Sequence, residues 1–90
     1  MLKLVSSKQF KKDLKVLVKR NFDISLLDEV VEKLIRQETL PQRNKDHALT
    51  GNYVGFRECH IKHDWLLVYR VDEEELMLFL SRTGTHSDLF

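Results

Sequence analysis

The sequence has few of the residues that cross-link a chain, break its elements or anchor it in a membrane. It contains one cysteine, one proline and three glycines among 90 residues. The single cysteine, Cys59, cannot form an internal disulfide, so a reducing, cytoplasmic compartment is expected. No apolar run approaches the roughly 20 residues of a membrane helix, and the start of the chain leads directly into a charged stretch instead of a signal-peptide core. We therefore expect no membrane association.

The composition is that of an ordinary folded domain. Hydrophobic residues make up 42% of the chain and charged residues 32%, which is too apolar for a disordered chain. Two independent cores would each need more residues than are present. A single domain over residues 1–90 is therefore expected.

The charge is unevenly distributed, although the formal net charge is only +1. Residues 1–45 carry eleven Lys or Arg against six Asp or Glu, and residues 46–90 carry four against eight. A basic cluster can attract a polyanion, because neutralised phosphates release counterions. It can equally be the solvated face of a helix. The basic residues concerned are Lys8, Lys11, Lys12, Lys15, Lys19 and Arg20.

The first half of the chain predicts a strand followed by two helices. Residues 2–6 alternate as a short strand does. Ser6 and Gln9 have capping-box spacing, and Asn21 suits the left-handed end of a first helix. Ser25 and Asp28 repeat that spacing for a second helix, which Pro41 ends by about residue 39. The apolar positions fall at helical spacing on one face of each: Phe10, Leu14, Leu17 and Val18, then Leu27, Val30, Val31, Leu34 and Ile35.

The second half predicts three strands. After a polar linker, 40–52, the apolar period changes from 3.6 to 2, over 55–61, 65–71 and 76–83. Their short connections favour an antiparallel meander. The order β-α-α-β-β-β predicts an α+β fold, with two N-terminal helices packed on one face of a small, mainly antiparallel sheet.

Polar residues gather where these strands meet. His60 ends the first strand, Asp64 precedes the second and Arg82 ends the third. Strand alternation brings all three to one edge, with His86 close by. Histidines there suit RNA cleavage, because they can take a proton from the 2′-hydroxyl and give one to the 5′-oxygen. An Arg stabilises the charge that develops. Neither metal nor cofactor is required, since the nucleophile is the substrate's own hydroxyl.

Each of these residues also has a structural explanation. A histidine at a strand end is often only hydrogen-bonded, and Arg82 could pair with Asp64 or Glu58. Trp65 and Phe90 offer faces for unstacked bases, yet Trp65 also suits the core and Phe90 a frayed end. A zinc site from His60, His63, Asp64 and His86 lacks the usual ligand spacing. Cys59 should point away from His60, which argues against a cysteine nucleophile.

Four ordered motifs give the chain a family resemblance. They are Lys45-Asp46-His47-Ala48-Leu49-Thr50-Gly51, Phe56-Arg57-Glu58-Cys59-His60, Asp64-Trp65-Leu66-Leu67-Val68-Tyr69 and Arg82-Thr83-Gly84-Thr85-His86-Ser87-Asp88-Leu89-Phe90. With them the chain resembles the YafQ branch of the RelE toxin superfamily over nearly its whole length. The resemblance implies a RelE-like fold and a type II toxin that cuts mRNA in the ribosomal A site. A catalytically silent RNA- or protein-binding module on the same scaffold is the alternative.

The resemblance also implies residue roles. It makes His47, His60, Asp64 and His86 the acid–base residues, Arg82 the phosphate-stabilising arginine and Phe90 the C-terminal aromatic. His60 and His86 are the expected proton-transfer pair, with base and acid left open. His63 stands where related sequences usually have proline, and it is not an expected catalytic residue.

The implied partners are the ribosome, mRNA and a cognate DinJ- or RelB-like antitoxin, through which alone DNA would be contacted. The basic first helix, with Lys8, Lys11, Lys12 and Lys15, would dock on ribosomal RNA or accept an acidic antitoxin segment.

Overall fold

The computed structural model describes residues 1–90 and has the predicted α+β element order with two additions. The additions are a two-residue strand, β2, and a short C-terminal helix, α3. In chain order the elements are β1 (Lys3–Ser6), α1 (Lys8–Lys19), α2 (Ile24–Ile35), β2 (His47–Ala48), β3 (Arg57–Lys62), β4 (Trp65–Asp72), β5 (Met77–Gly84) and α3 (His86–Leu89). No helix has both the length and the apolar character needed to span a bilayer.

The strands form one mixed sheet in the order β1-β5-β4-β3-β2. The meander of β3, β4 and β5 is antiparallel, as predicted, and β2 pairs antiparallel with β3. β1 runs parallel to β5 at the opposite edge. β4 is therefore central, and the pairing across it sets which residues of β3 and β5 stand side by side.

Both helices begin at a different residue from the predicted one. The pairing of β1 with β5 continues through Ser6, opposite Leu80. The cap of α1 is therefore Ser7, and the helix begins at Lys8. The Ser7 hydroxyl accepts a hydrogen bond from the Phe10 N–H at 2.9 Å and caps the helix. α2 is capped by Asp23 instead of Ser25. Asn21 has the expected left-handed conformation, with φ 63°.

The core lies between the two helices and the sheet. α1 contributes Phe10 and Leu17, and α2 contributes four buried residues, Leu27, Val30, Val31 and Leu34. They pack against alternate residues of β4, namely Trp65, Leu67 and Tyr69. Val18 was predicted to belong to the stripe of α1 but is 54% exposed, because the buried strip of that helix is narrow and centred on Leu17.

Replacing Leu17 with alanine should strongly destabilise this packing. Leu17 is 1% exposed, and a buried Leu→Ala change costs about 2–5 kcal/mol of unfolding free energy. Its neighbour Val16 is 45% exposed, so Val16→Ala should change stability by no more than about 0.5 kcal/mol. Urea unfolding of the two variants measures the difference, and equal losses would contradict the assigned core.

Candidate active site

The rings of His60 and His86 lie together, as strand alternation predicted. Their centroids are 5.9 Å apart, although the residues are far apart in the sequence. His60 is opposite Leu66 in β4, and Leu66 is opposite Gly84 in β5. Because residues paired across strands share a face of the sheet, this row ends two residues before His86. The register of the sheet therefore brings the two imidazoles to one edge.

Asp64 orients His86. Oδ1 of Asp64 accepts hydrogen bonds from Nδ1 of the His86 ring and, at 3.1 Å, from the His86 backbone N–H. The bond from the ring, followed by that from the backbone, lowers the pKa of Asp64. The carboxylate thus stays ionised beside Nδ1, while Nε2 of His86 remains free to exchange a proton with a substrate.

His60 is held by a neutral group instead. Its Nδ1 lies 3.1 Å from the carbonyl oxygen of His63. A carbonyl oxygen only accepts, so Nδ1 carries a proton, and the lone pair of an unprotonated Nε2 is then free to accept one. His63 has a φ of 40°, which is the left-handed turn that points its carbonyl at His60. The backbone of His63, and not its imidazole, serves the site.

His47 stands in a second row, next to a buried carboxylate. It lies in β2, opposite Glu58 of β3, instead of on the expected loop. Its Nδ1 donates to the Lys45 carbonyl at 2.7 Å, and its Nε2 lies 3.6 Å from Oε1 of Glu58. Glu58 was not predicted as a site residue, and its side chain is buried, with 6% of the residue exposed. The signal was its position two residues before His60, which in a strand gives both the same face.

Arg82 does not pair with Asp64 or Glu58. Its Nε and Nη2 donate to the two carboxylate oxygens of Asp13 in α1, at 2.8 and 3.2 Å. The Thr83 backbone N–H also donates to Asp13, at 3.2 Å. Arg82 therefore makes no hydrogen bond to either histidine of the pair. Arg82 is opposite Val68 of β4, and Val68 is opposite Glu58 of β3, so Arg82 and Glu58 stand in one row across the sheet. Because Asp13 occupies one edge of the planar guanidinium, the Nη1 edge is left for an anion.

The two aromatic residues of the predicted site have different surroundings. Phe90 is 60% exposed, and its ring meets that of Tyr53 edge-on at 5.7 Å, so it is not frayed. Trp65 is only 4% exposed. Its ring packs against Phe22 at 5.0 Å, and its Nε1 donates to the Thr83 hydroxyl at 2.9 Å. The prediction that Trp65 offers a face to a base is therefore wrong, because its side chain is buried in the core cluster.

Three other expectations can be checked against the structure. The α1 lysines, Lys8, Lys11, Lys12 and Lys15, are all exposed. Cys59 is fully buried, and that burial raises its pKa to about 12, which excludes a thiolate nucleophile. No group of three or more His, Cys, Asp or Glu side chains that could hold a metal ion occurs in the structure.

α3 carries His86, and an ion pair to α1 holds it in place. Arg20 donates to Asp88 at 2.9 and 3.3 Å, and Asp88 closes a capping box with Thr85. The Arg20 bond, followed by that from the Thr85 N–H, lowers the pKa of Asp88 to about 2. A Cβ on Gly84 would come within 3.0 Å of Asp88, so glycine is needed for this close approach.

The Asp88 ion pair predicts a local acid transition. Since the pKa of Asp88 is lower in the folded protein than the roughly 3.9 of a free aspartate, its contribution to stability is present above about pH 4 and is lost as the pH falls through 2. Carbon NMR of the Asp88 carboxyl should show a midpoint near 2. In Arg20→Gln the midpoint should rise towards the free value, whereas Arg36→Gln, remote from α3, should leave it unchanged. An unchanged midpoint in Arg20→Gln would assign the shift to another cause.

Comparison with known proteins identifies the family that the chain is similar to. Residues 2–90 match the family described as "Bacterial toxin of type II toxin-antitoxin system, YafQ". The "mRNA interferase toxin YafQ" of Escherichia coli K12 is 39% identical over 85 residues, which cover 93% of this chain and 90% of that protein.

Solved structures agree in fold over the whole chain. A metal-bound toxin from Helicobacter pylori has a TM-score of 0.94 at 51% identity, with complete coverage of both chains. YafQ in the E. coli DinJ–YafQ complex has a TM-score of 0.91 at 36% identity, covering 100% of this chain and 99% of that one.

Proposed function

This chain belongs to the YafQ family of bacterial toxins from type II toxin–antitoxin systems, and on that basis we propose that it is an endoribonuclease that cuts mRNA. The observation that carries the proposal is the His60–His86 pair, with ring centroids 5.9 Å apart and each ring held through Nδ1. Two imidazoles that both present Nε2 can serve one phosphodiester bond from its two sides.

The different partners of the two rings support different roles for them. His60, held by a neutral carbonyl, is the base: its Nε2 takes the proton of the 2′-hydroxyl as that oxygen attacks phosphorus. His86, with the ionised Asp64 as counter-charge for its imidazolium, is the acid: its Nε2 gives a proton to the 5′-oxygen as the P–O5′ bond breaks. The products are a 2′,3′-cyclic phosphate and a free 5′-hydroxyl.

Two of the remaining site residues act on the phosphate and on a nucleobase of the RNA. The Nη1 edge of Arg82 supplies donors for the negative charge that develops on the phosphoryl oxygens. Asp13 fixes the other edge, so the guanidinium does not have to be ordered during the reaction. Phe90, exposed beside α3, offers its ring to a base next to the scissile bond. His47, beside the buried Glu58, is the third proton-exchanging ring of the site.

The setting of the reaction follows from the relatives and the charge. We place cleavage in the ribosomal A site of the cytoplasm, with the exposed α1 lysines against ribosomal RNA. DinJ binds YafQ in the E. coli complexes, and by analogy a cognate antitoxin holds this chain inactive. Contact with DNA is left to that antitoxin.

Removing the histidine pair should abolish toxicity. Expression of the wild-type chain without an antitoxin should arrest growth and produce in-frame mRNA cuts, mapped by primer extension. His60→Gln and His86→Gln should each lower cleavage by about 10²–10⁴-fold, the contribution of a positioned acid or base. The matched control is His63→Asn, which removes a neighbouring imidazole at a position where Asn tolerates the left-handed backbone.

Two results would contradict this assignment. If the wild type is as harmless as His60→Gln and His86→Gln, the chain is a silent binding module on the same scaffold. If His63→Asn is as inactive as His60→Gln, the loss reflects the turn and not the catalytic ring.

The ends of the products test the chemistry. Attack by the 2′-hydroxyl predicts fragments with a 5′-hydroxyl that a kinase can label without prior phosphatase treatment. Cleavage should also persist in a chelator, on ribosomes kept intact with polyamines. Fragments with a 5′-phosphate, or activity lost in the chelator and restored by a divalent ion, would indicate a metal-activated water as the nucleophile.

A further inference from the structure

A groove with free positive charge opens beside His60, on the side of the molecule away from α1. It lies between α2, the turn at Gln42–Asn44 and the β3–β4 turn, with a volume of about 530 Å³. We call it the α2 groove and define it by Lys33, Arg43, Lys45, Lys62, Glu29 and His60 in its wall. None of its cations was predicted to take part in function.

The charge of the α2 groove is uncompensated. Its wall contains four Lys or Arg and a single carboxylate, Glu29, for a net charge of +3 with His neutral. No Asp or Glu oxygen lies within 4.0 Å of any of the four cations, although Arg20, Arg36, Arg57 and Arg82 all have such partners. Arg43, Lys45 and Lys62 are exposed and Lys33 is half-buried. Clustered cations of this kind are typical of a surface that takes up an external anion.

The groove is attached to the catalytic strand. Asn44 is 5% exposed, and its Nδ2 donates to the backbone carbonyl of His60 at 2.7 Å. The turn that carries Arg43 and Lys45 is thereby fixed to the residue that we propose as the base. The His47 ring is fixed to the same turn, through the Lys45 carbonyl at 2.7 Å. An anion held by these cations would therefore keep a constant position relative to both rings.

We propose that the α2 groove binds the phosphodiester backbone of the RNA strand that is cut, on one side of the scissile bond. The ligand is recognised as a chain of phosphates, because lysines and arginines without base-reading partners contact backbone and not sequence. The strand passes from the groove over His60 to the His60–His86 pair. The proposal rests on the proposed function only for the identity of this strand.

Two features favour the substrate strand over ribosomal RNA. The groove contains His60 in its own wall, so a backbone lying in it is continuous with the reacting phosphate. The α1 lysines lie on the other side of β4, since α1 packs on β5 whereas α2 packs on β3. The chain thus has two separate basic surfaces. The α2 groove, which contains the proposed general base His60 in its wall, is the one positioned to align the substrate.

The test is the affinity of the full-length protein for a single-stranded oligoribonucleotide that carries 2′-O-methyl groups and cannot be cut. Fluorescence anisotropy over a salt series gives the affinity and its salt dependence. The groove variant is Lys33→Gln/Arg43→Gln. The control with the same charge change is Lys3→Gln/Arg36→Gln, at exposed positions that do not line the groove. Arg36 directly follows α2, but its charge is already paired with Glu32 and Glu38. Thermal unfolding by circular dichroism checks that both variants are folded.

We expect the groove variant to bind this RNA on the order of tenfold more weakly at low salt. The slope of log K against log salt should fall in magnitude by about 1.4, because each of the two lost phosphate contacts contributes about 0.7. The control should stay within about twofold of the wild type, because Lys3 lies outside the groove and the charge of Arg36 is compensated by Glu32 and Glu38. In cleavage on ribosomes, the groove variant should show a raised KM and an unchanged kcat.

A second arm, binding to vacant ribosomes without mRNA, separates the two RNA sources. Loss of oligonucleotide affinity with normal binding to vacant ribosomes supports the proposal. Loss on vacant ribosomes alone overturns it and assigns the groove to ribosomal RNA. No loss on either RNA also overturns it, and leaves an acidic protein segment as the ligand. Binding is measured with an RNA that cannot be cut, so it does not depend on catalysis. If the protein binds this RNA in the groove but never cleaves mRNA, the proposed function is refuted and RNA binding by the groove still stands.

Discussion

The pairing of β4 with its two neighbours is the constraint on which the site depends. β4 is buried on both faces: Leu66 and Val68 are at most 1% exposed on one face, and so are Leu67 and Tyr69 on the other. A strand buried on both faces cannot slip by one residue without exchanging its two sets of side chains. Through this register His60 stands level with Gly84, and the last residues of the chain are carried to the edge where His60 lies. Core packing therefore determines the separation of the two imidazole rings, although neither His60 nor His86 belongs to the core cluster.

A recurring feature of the site is an aspartate carboxylate that holds a side chain from a distant part of the chain by hydrogen bonds. Asp64 holds His86, Asp13 holds Arg82 and Asp88 ties α3 to Arg20. Each carboxylate fixes one edge or one nitrogen and leaves the other free. Two solved toxins share the whole fold of this chain at 51% and 36% identity. The α2 groove differs in kind, since its cations have no carboxylate within reach.

Much of the site could be predicted because strand alternation is a local property. Alternation alone places the polar residues at the ends of β3 and β5 at the same edge of the sheet, and His60 and His86 lie together there. The errors have a common cause in packing that the sequence pattern does not encode. Trp65 is in the core because Phe22 and Thr83 enclose it, and Val18 is exposed because the buried strip of α1 is narrow. Glu58 was missed because a charged residue in an alternating strand is normally assigned to solvent.

By itself, the sequence determined the element order, the fold class and the set of chemically able residues, because apolar periodicity and motif spacing depend only on neighbours along the chain. The tertiary structure alone decided that Asp13 is the partner of Arg82, that Asp64 and the His63 carbonyl hold different rings, and that four cations without carboxylate partners line the same groove as His60. These contacts join residues up to 69 positions apart. They depend on the angle and depth at which helices meet the sheet, which is set by how side chains fill the core and not by any local pattern.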